Sequence, residues 1–251
     1  MHRPGWIRKF HKSRAAGGPP LLIFPHAGAG ASTYRAFSKA FSRDFDVIVF
    51  QYPGRQDRAH EPLPTSLPEL AAGALAEFRN SAFDRGTGIY AFGHSMGALV
   101  SFEFVRLAEA AGISVRQLTV SAAVPPARAE FRPPTPTGDE ELLDHLTMLE
   151  GMGSDVLDSR EIMRMALPVL QADHRASDAY SPSPEVELSA RIHALGGEHD
   201  PIVSIADLHG WRRHSDDVEV TVFEGGHFFL NDHVDTIAAV TARRATVGPA
   251  A

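Results

Sequence analysis

Gly93-His94-Ser95-Met96-Gly97 reads G-x-S-x-G. It follows the apolar run Ile89-Tyr90-Ala91-Phe92 and precedes a helical pattern that begins at Ala98. Strand, tight turn, helix is the order in which a serine hydroxyl is lifted clear of the backbone, the arrangement of a nucleophile elbow. A side chain larger than hydrogen at either flank of such a turn collides with its neighbours, so both flanks are glycine. Ser95 is the candidate nucleophile. In the following helix Leu99, Val100, Phe102, Phe104, Val105 and Leu107 cover most of the girth, with Glu103, Arg106 and Glu109 as a narrow polar stripe. Such a helix is buried against a sheet. It supports Ser95 rigidly at the positive end of its dipole, which favours the negative charge developing in acyl transfer.

Outward from this turn, short apolar runs alternate with helical patterns. Residues 21–24, 45–52, 89–92, 118–123, 191–195 and 218–223 read as strands, several of them continuously apolar as in a parallel sheet covered on both faces. Residues 34–41, 67–78, 98–111, 205–214 and 234–245 read as helices, and Ser66-Leu67-Pro68-Glu69 matches a capping box. The alternation predicts a single α/β domain over residues 1–251, a mostly parallel sheet with helices on both faces. Residues 6–11 predict a short edge strand guarded by Arg8 and Lys9; a transit peptide is the alternative reading of the basic N-terminus.

The chain has 251 residues, 43% of them apolar, enough for a sizeable core. A formal charge of -7 argues against a nucleic-acid partner. The absence of cysteine excludes disulfides, thiolate metal sites and a cysteine nucleophile, and fits a cytoplasmic protein. No apolar run is long enough to span a bilayer.

One segment breaks the alternation. Residues 125–187 begin with Pro125-Pro126, Pro133-Pro134 and Pro136, contain two helical patterns (140–149 and 159–172), and close with Ser181-Pro182-Ser183-Pro184. An insertion bounded in this way predicts a helical lid over the C-terminal edge of the sheet, where open α/β sheets bind ligands. Met148, Met152, Met163 and Met165 are its candidate flexible lining, with gap-filling in the core as the alternative.

A serine nucleophile needs a base within hydrogen-bond reach. Among thirteen histidines His227 fits best, because Glu224-Gly225-Gly226-His227 follows the last strand and two glycines allow a loop to bring the imidazole back over the strand ends. His209, His214 and His233 read as surface residues. Asp200, after the strand and glycine turn ending in Gly197, is the candidate acid that would fix the His227 tautomer. Glu198 is the nearest rival, with Asp173 and Asp178 in the insertion as weaker ones. The oxyanion donors would be the Met96 N–H and, from the loop Pro25-His26-Ala27-Gly28-Ala29-Gly30, the Ala27 N–H. Gly28-x-Gly30 lacks the third glycine of a dinucleotide fingerprint, and no P-loop or zinc motif is present.

Phe24-Pro25-His26-Ala27-Gly28, Gln51-Tyr52-Pro53-Gly54-Arg55, Gly93 to Ala98, Asp200-Pro201 and Gly226-His227-Phe228-Phe229-Leu230 together resemble the type II thioesterases, discrete α/β-hydrolases that accompany polyketide synthases and nonribosomal peptide synthetases. The resemblance runs from about residue 6 to residue 240. It departs from the family at Ala29, where a second glycine is usual, and in the longer Gly196-Gly197-Glu198-His199 turn. It implies an α/β-hydrolase fold and hydrolysis of acyl thioesters on the phosphopantetheine arm of an acyl or peptidyl carrier protein. It implies no metal or redox cofactor, and a monomer is expected. Arg55, Arg58, Arg128, Arg132, Arg160 and Arg164 are candidates to meet an acidic carrier, or else solvated charges. A general carboxylesterase shares every one of these site residues, and a non-catalytic binding protein of the same fold is the third reading.

Overall fold

The computed structural model of the chain describes residues 5–15, 17–132, 134–150 and 156–245. Among these, the strands β1 (Ile7–Arg8), β2 (Pro20–Phe24), β3 (Asp46–Phe50), β4 (Ile89–His94), β5 (Val115–Ser121), β6 (Arg191–Gly197) and β7 (Val218–Phe223) form one sheet. Its order is β1-β3-β2-β4-β5-β6-β7. All pairings are parallel except that of β1 with β3. The helices are α1 (Arg35–Phe41), α2 (Leu67–Arg79), α3 (Met96–Ala110), α4 (Asp139–Glu150), α5 (Val156–Asp178), α6 (Ile205–Gly210) and α7 (Val234–Ala245). This is the expected α/β-hydrolase architecture.

The continuous apolar strands are explained by two cores, one on each face. Leu22, Phe24, Ile48 and Phe50 join Leu70 and Phe78 of α2 and Phe102 and Phe104 of α3. The alternate residues Leu21, Ile23, Val47 and Val49 join Phe37 and Phe41 of α1 and Ile237 of α7. Side chains alternate across a strand, so a strand buried on both faces needs apolar residues at every position. At the edge, only two residues of the expected 6–11 strand pair. Arg8 reaches Asp57 at 2.6 Å and Lys9 reaches Asp46 at 2.5 Å, charges that guard the open side.

Local signals hold with adjustments. The Ser66 hydroxyl accepts from the Glu69 N–H at 3.3 Å, as a cap should. The Glu69 carboxylate, however, takes the Thr65 N–H at 2.8 Å, one residue before the cap. The helix expected over 205–214 stops at Gly210 and tightens into a 3-10 turn, Trp211–Arg213. That turn buries His214, contrary to the surface position expected of it. Its side chain is 0% exposed, accepts from the Ala127 N–H at 3.0 Å and donates to the Val186 carbonyl at 2.6 Å.

Between β5 and β6 lie a 3-10 turn (Pro126–Phe131), α4 and α5. The second helical pattern is longer than expected, beginning at Val156 and running through Pro168 to Asp178. Leu142 and Leu146 of α4 pack on Leu170 of α5. The two acids of the α3 polar stripe meet this segment, while Arg106 between them stays 40% exposed: Tyr180 donates to Glu103 at 3.0 Å, and Glu109 accepts from the Ser189 and Ala190 N–H groups at 2.9 and 2.7 Å.

Candidate active site

The turn after β4 is as tight as its sequence requires. A Cβ on Gly93 would lie 2.1 Å from the Gly97 carbonyl oxygen, and one on Gly97 would lie 2.1 Å from that of Phe24. Both obstacles are backbone, so neither can swing aside. Ser95 sits at φ 53°, ψ -123°, a strained conformation for a non-glycine residue, held by its N–H to the Ser121 carbonyl at 2.8 Å and by the Ala98 N–H on its own carbonyl at 2.9 Å. Its hydroxyl lies 3.0 Å from Nε2 of His227. Nδ1 of His227 lies 2.8 Å from Oδ2 of Asp200. The other oxygen of Asp200 accepts from the N–H groups of Ile202 and Val203 at 2.9 and 3.2 Å, so the carboxylate is fixed from behind. His227 and Asp200 side chains are 1% and 0% exposed. The three residues lie in loops at the C-terminal ends of β4, β6 and β7.

The loop after β2 is held by long-range contacts beyond the expected site residues. Gly28, at φ +75°, donates its N–H to Oδ2 of Asp173 at 2.8 Å. Arg55 grips the same carboxylate with both terminal nitrogens, each at 2.8 Å. The side chains of Arg55 and Asp173 are 4% and 0% exposed. Asp173 therefore belongs to α5 and ties it to the loop that carries Ala27. Among the described residues, neither the Ala27 nor the Met96 N–H donates to a protein acceptor. Both stay available, as an oxyanion hole requires. Ala29, the departure from the family pattern, is buried without a positive φ, so its methyl strains nothing.

Behind His227 stand two further imidazoles. His94 is fully buried, with Nδ1 on the Ser121 hydroxyl at 2.9 Å and its ring 5.2 Å from that of His227. Burial, reinforced by the neighbouring His227 and His26, pushes its pKa well below the ordinary value. His26 accepts from the Tyr34 hydroxyl at Nδ1, 2.8 Å away. Burial lowers it to about 3, with smaller contributions from His227 and Arg55. One neutral ring therefore packs on the base and a second, His26, packs on the first at 5.7 Å, without adding charge to it.

A cavity of about 90 Å³ opens beside Ser95 and Met96. Leu99, Val124, Leu149, Ile202 and Val203 give it apolar wall, and Arg132, Thr135, His145, His174 and Asp178 give it polar wall.

Residues 19–244 match the family model of the thioesterase domain. The chain belongs to the thioesterase family. It is 35% identical over 229 residues to the thioesterase PikA5 of Streptomyces venezuelae, covering 90% of this chain and 80% of that one. It superposes on the type II thioesterase BorB from the borrelidin biosynthetic cluster with a TM-score of 0.83 and 37% identity, covering 97% and 99% of the two chains. That likeness sets this thioesterase among the type II members. It is also 37% identical over 239 residues to phenyloxazoline synthase MbtB of Mycobacterium tuberculosis, but the match spans only 16% of that protein.

Several expectations for this thioesterase need correction. Arg55 and Arg58 were candidates for a carrier surface, yet both are buried, at 4% and 3% exposure. Arg58 grips Glu61 at 2.6 and 2.7 Å and donates to the Gln51 carbonyl. Arg132 donates to the carbonyls of Ser177 and Tyr180 inside the cavity wall. Arg128 pairs with Asp207, and Arg164, on the surface, with Glu140. The Arg160 side chain lies outside the described residues. The rival acid Glu198 is turned outward onto His199 at 3.1 Å. Of the four methionines, Met165 is 82% exposed and Met148 is 51% exposed in a neighbouring groove beside Phe228. Met152 and the Met163 side chain lie outside the described residues. No helix among the described residues is long and apolar enough to cross a membrane.

Proposed function

We propose that this thioesterase hydrolyses acyl groups held as thioesters on the phosphopantetheine arm of a carrier protein, and that residues 125–187 act as the lid of its acyl site. The observation that carries this reading is the continuous hydrogen-bonded path from Ser95 through His227 to Asp200 at the mouth of a cavity. Asp200 accepts the Nδ1–H of His227, which leaves Nε2 as the lone pair facing the Ser95 hydroxyl. His227 takes the hydroxyl proton as Ser95 Oγ bonds to the thioester carbonyl carbon. The Ala27 and Met96 N–H groups hold the resulting oxyanion. Collapse breaks the carbon–sulfur bond, and the proton on His227 goes to the departing pantetheine sulfur. Water, deprotonated by the same Nε2, then attacks the acyl-enzyme, and the returned proton frees Ser95 and the carboxylic acid.

The carrier protein as donor is supported by relatives such as PikA5 and BorB, one named a thioesterase and one a type II thioesterase of a biosynthetic cluster. The test compares hydrolysis of an acyl-carrier protein, the matching acyl-pantetheine and a p-nitrophenyl ester. Turnover of the carrier-bound thioester, abolished in Ser95→Ala, is expected. Turnover of the oxygen ester alone would make this a carboxylesterase instead.

A further inference from the structure

Leu149, near the C-terminal end of α4, is buried at 5% exposure yet joins none of the hydrophobic clusters that the described residues form. Leu142 and Leu146, on the same face of the helix, do: they pack on Leu170 of α5. Leu149 meets space on two sides instead. It lines the cavity of about 90 Å³ beside Ser95. It also lines a neighbouring groove of about 570 Å³, together with Met148, Pro201 and Phe228. Among the described residues no other lines both. The triad loop supplies the rest of the partition: Pro201 lies on the groove, Ile202 and Val203 on the cavity. That loop cannot yield, because the Ile202 and Val203 N–H groups are held by the Asp200 carboxylate, which also holds His227. The Leu149 side chain is the part of the partition that can be removed without touching the triad.

We propose that Leu149 is the end wall of the acyl cavity and sets the length of acyl chain that this thioesterase accepts, with the groove of Met148 and Phe228 as the room that opens once the wall is cut back. Size gives the limit. A cavity of 90 Å³, against about 150 Å³ for one that holds benzene, takes roughly four non-hydrogen atoms. A butyryl chain fits that space beyond its carbonyl, and an octanoyl chain does not. The far side of the wall suits an alkyl chain. Met148 is 51% exposed there, and Pro201 and Phe228 add apolar surface, so a chain that reaches the groove leaves water. Alanine at position 149 removes everything beyond Cβ and joins the two spaces. This inference rests on Ser95 being the nucleophile of a thioesterase.

The experiment measures kcat/KM of the full chain on the N-acetylcysteamine thioesters of butyrate and octanoate. Wild type should favour butyryl. Burying one methylene is worth about a factor of four, so two methylenes lodged past the wall in Leu149→Ala should raise the octanoyl-to-butyryl ratio roughly tenfold or more. Leu146→Ala thins the packing of α4 on α5 instead of the wall, and should keep the wild-type ratio. If the alanine variant does not fold, Leu149→Val, a milder truncation, should raise the hexanoyl-to-butyryl ratio. A wild type that takes octanoyl as well as butyryl overturns the inference. So does a folded Leu149→Ala with the wild-type ratio, or an equal shift in Leu146→Ala. In each of these cases turnover of butyryl, abolished in Ser95→Ala, leaves the thioesterase reading standing. Hydrolysis of neither thioester by wild type overturns both.

Discussion

Asp173→Ala removes the carboxylate that both Arg55 and the Gly28 N–H hold. Arg55 is 4% exposed and cannot turn to solvent without dismantling the loop around it. Breaking a buried ion pair from one side leaves the other charge uncompensated and costs about 3–5 kcal/mol. The orphaned Gly28 N–H adds about 1 kcal/mol or more. In a chain of this size each kcal/mol lowers Tm by roughly 2–4 °C, so a fall of about 10 °C or more is expected. Urea unfolding followed by tryptophan fluorescence suits the measurement, since the chain has two tryptophans, and Trp211 is fully buried. A second variant separates stability from positioning. Arg55→Met/Asp173→Leu replaces the pair by apolar side chains, which is often neutral for stability. It still leaves Gly28 without its acceptor, so the loop bearing Ala27 is released. Tm should recover most of its loss while kcat stays depressed and KM changes little. An unfolding midpoint for Asp173→Ala within about 1 kcal/mol of wild type refutes the buried-pair argument. A double variant with wild-type kcat refutes the positioning argument alone.

Other changes probe other parts of the same geometry. Gly93→Ala drives a methyl to 2.1 Å from the Gly97 carbonyl oxygen, so a loss of more than about 3 kcal/mol, seen as insoluble expression or a collapsed unfolding midpoint, is expected; a soluble, active variant would contradict the tight turn. Asp200→Asn keeps an acceptor for the Ile202 and Val203 N–H groups but removes the charge facing Nδ1 of His227. Turnover should fall by about four orders of magnitude with little change in Tm, and a tenfold loss or less would deny Asp200 its role. Acid should destabilise the fold before carboxylates titrate. His26 at about 3, and His94, His174 and His214 pushed down by burial, stay neutral when folded. In the unfolded chain each takes a proton below its ordinary value of 6.5, so stability falls as pH drops from there. His26, partly open to solvent, contributes at most about 2 kcal/mol by pH 5. An unfolding midpoint unchanged between pH 7 and 5 would refute the neutral cluster.

The parts of the site that could be read from sequence are those whose constraint is local. Gly93 and Gly97 are dictated by backbone atoms within a few residues or on the adjacent strand, and Gly225 before His227 by its φ of +118°. The Arg55–Asp173 pair spans 118 positions, and a long-range partner leaves no mark in local spacing. A mark of another kind was present. In α5, Leu170, Asp173 and Ala176 follow one another at helical spacing and are 6%, 1% and 3% exposed. A carboxylate in the middle of an apolar stripe has to be neutralised where it is buried, so Asp173 announced a cation beneath the helix. Glu103 of α3 gave no such warning, because its stripe with Arg106 and Glu109 matches a solvated face. It is covered because Tyr180, just after α5, reaches its carboxylate. Charge interrupting an apolar face therefore carries information that charge on a polar face does not. The identity of the partner, an arginine that follows a proline and a glycine in a loop, still required the fold.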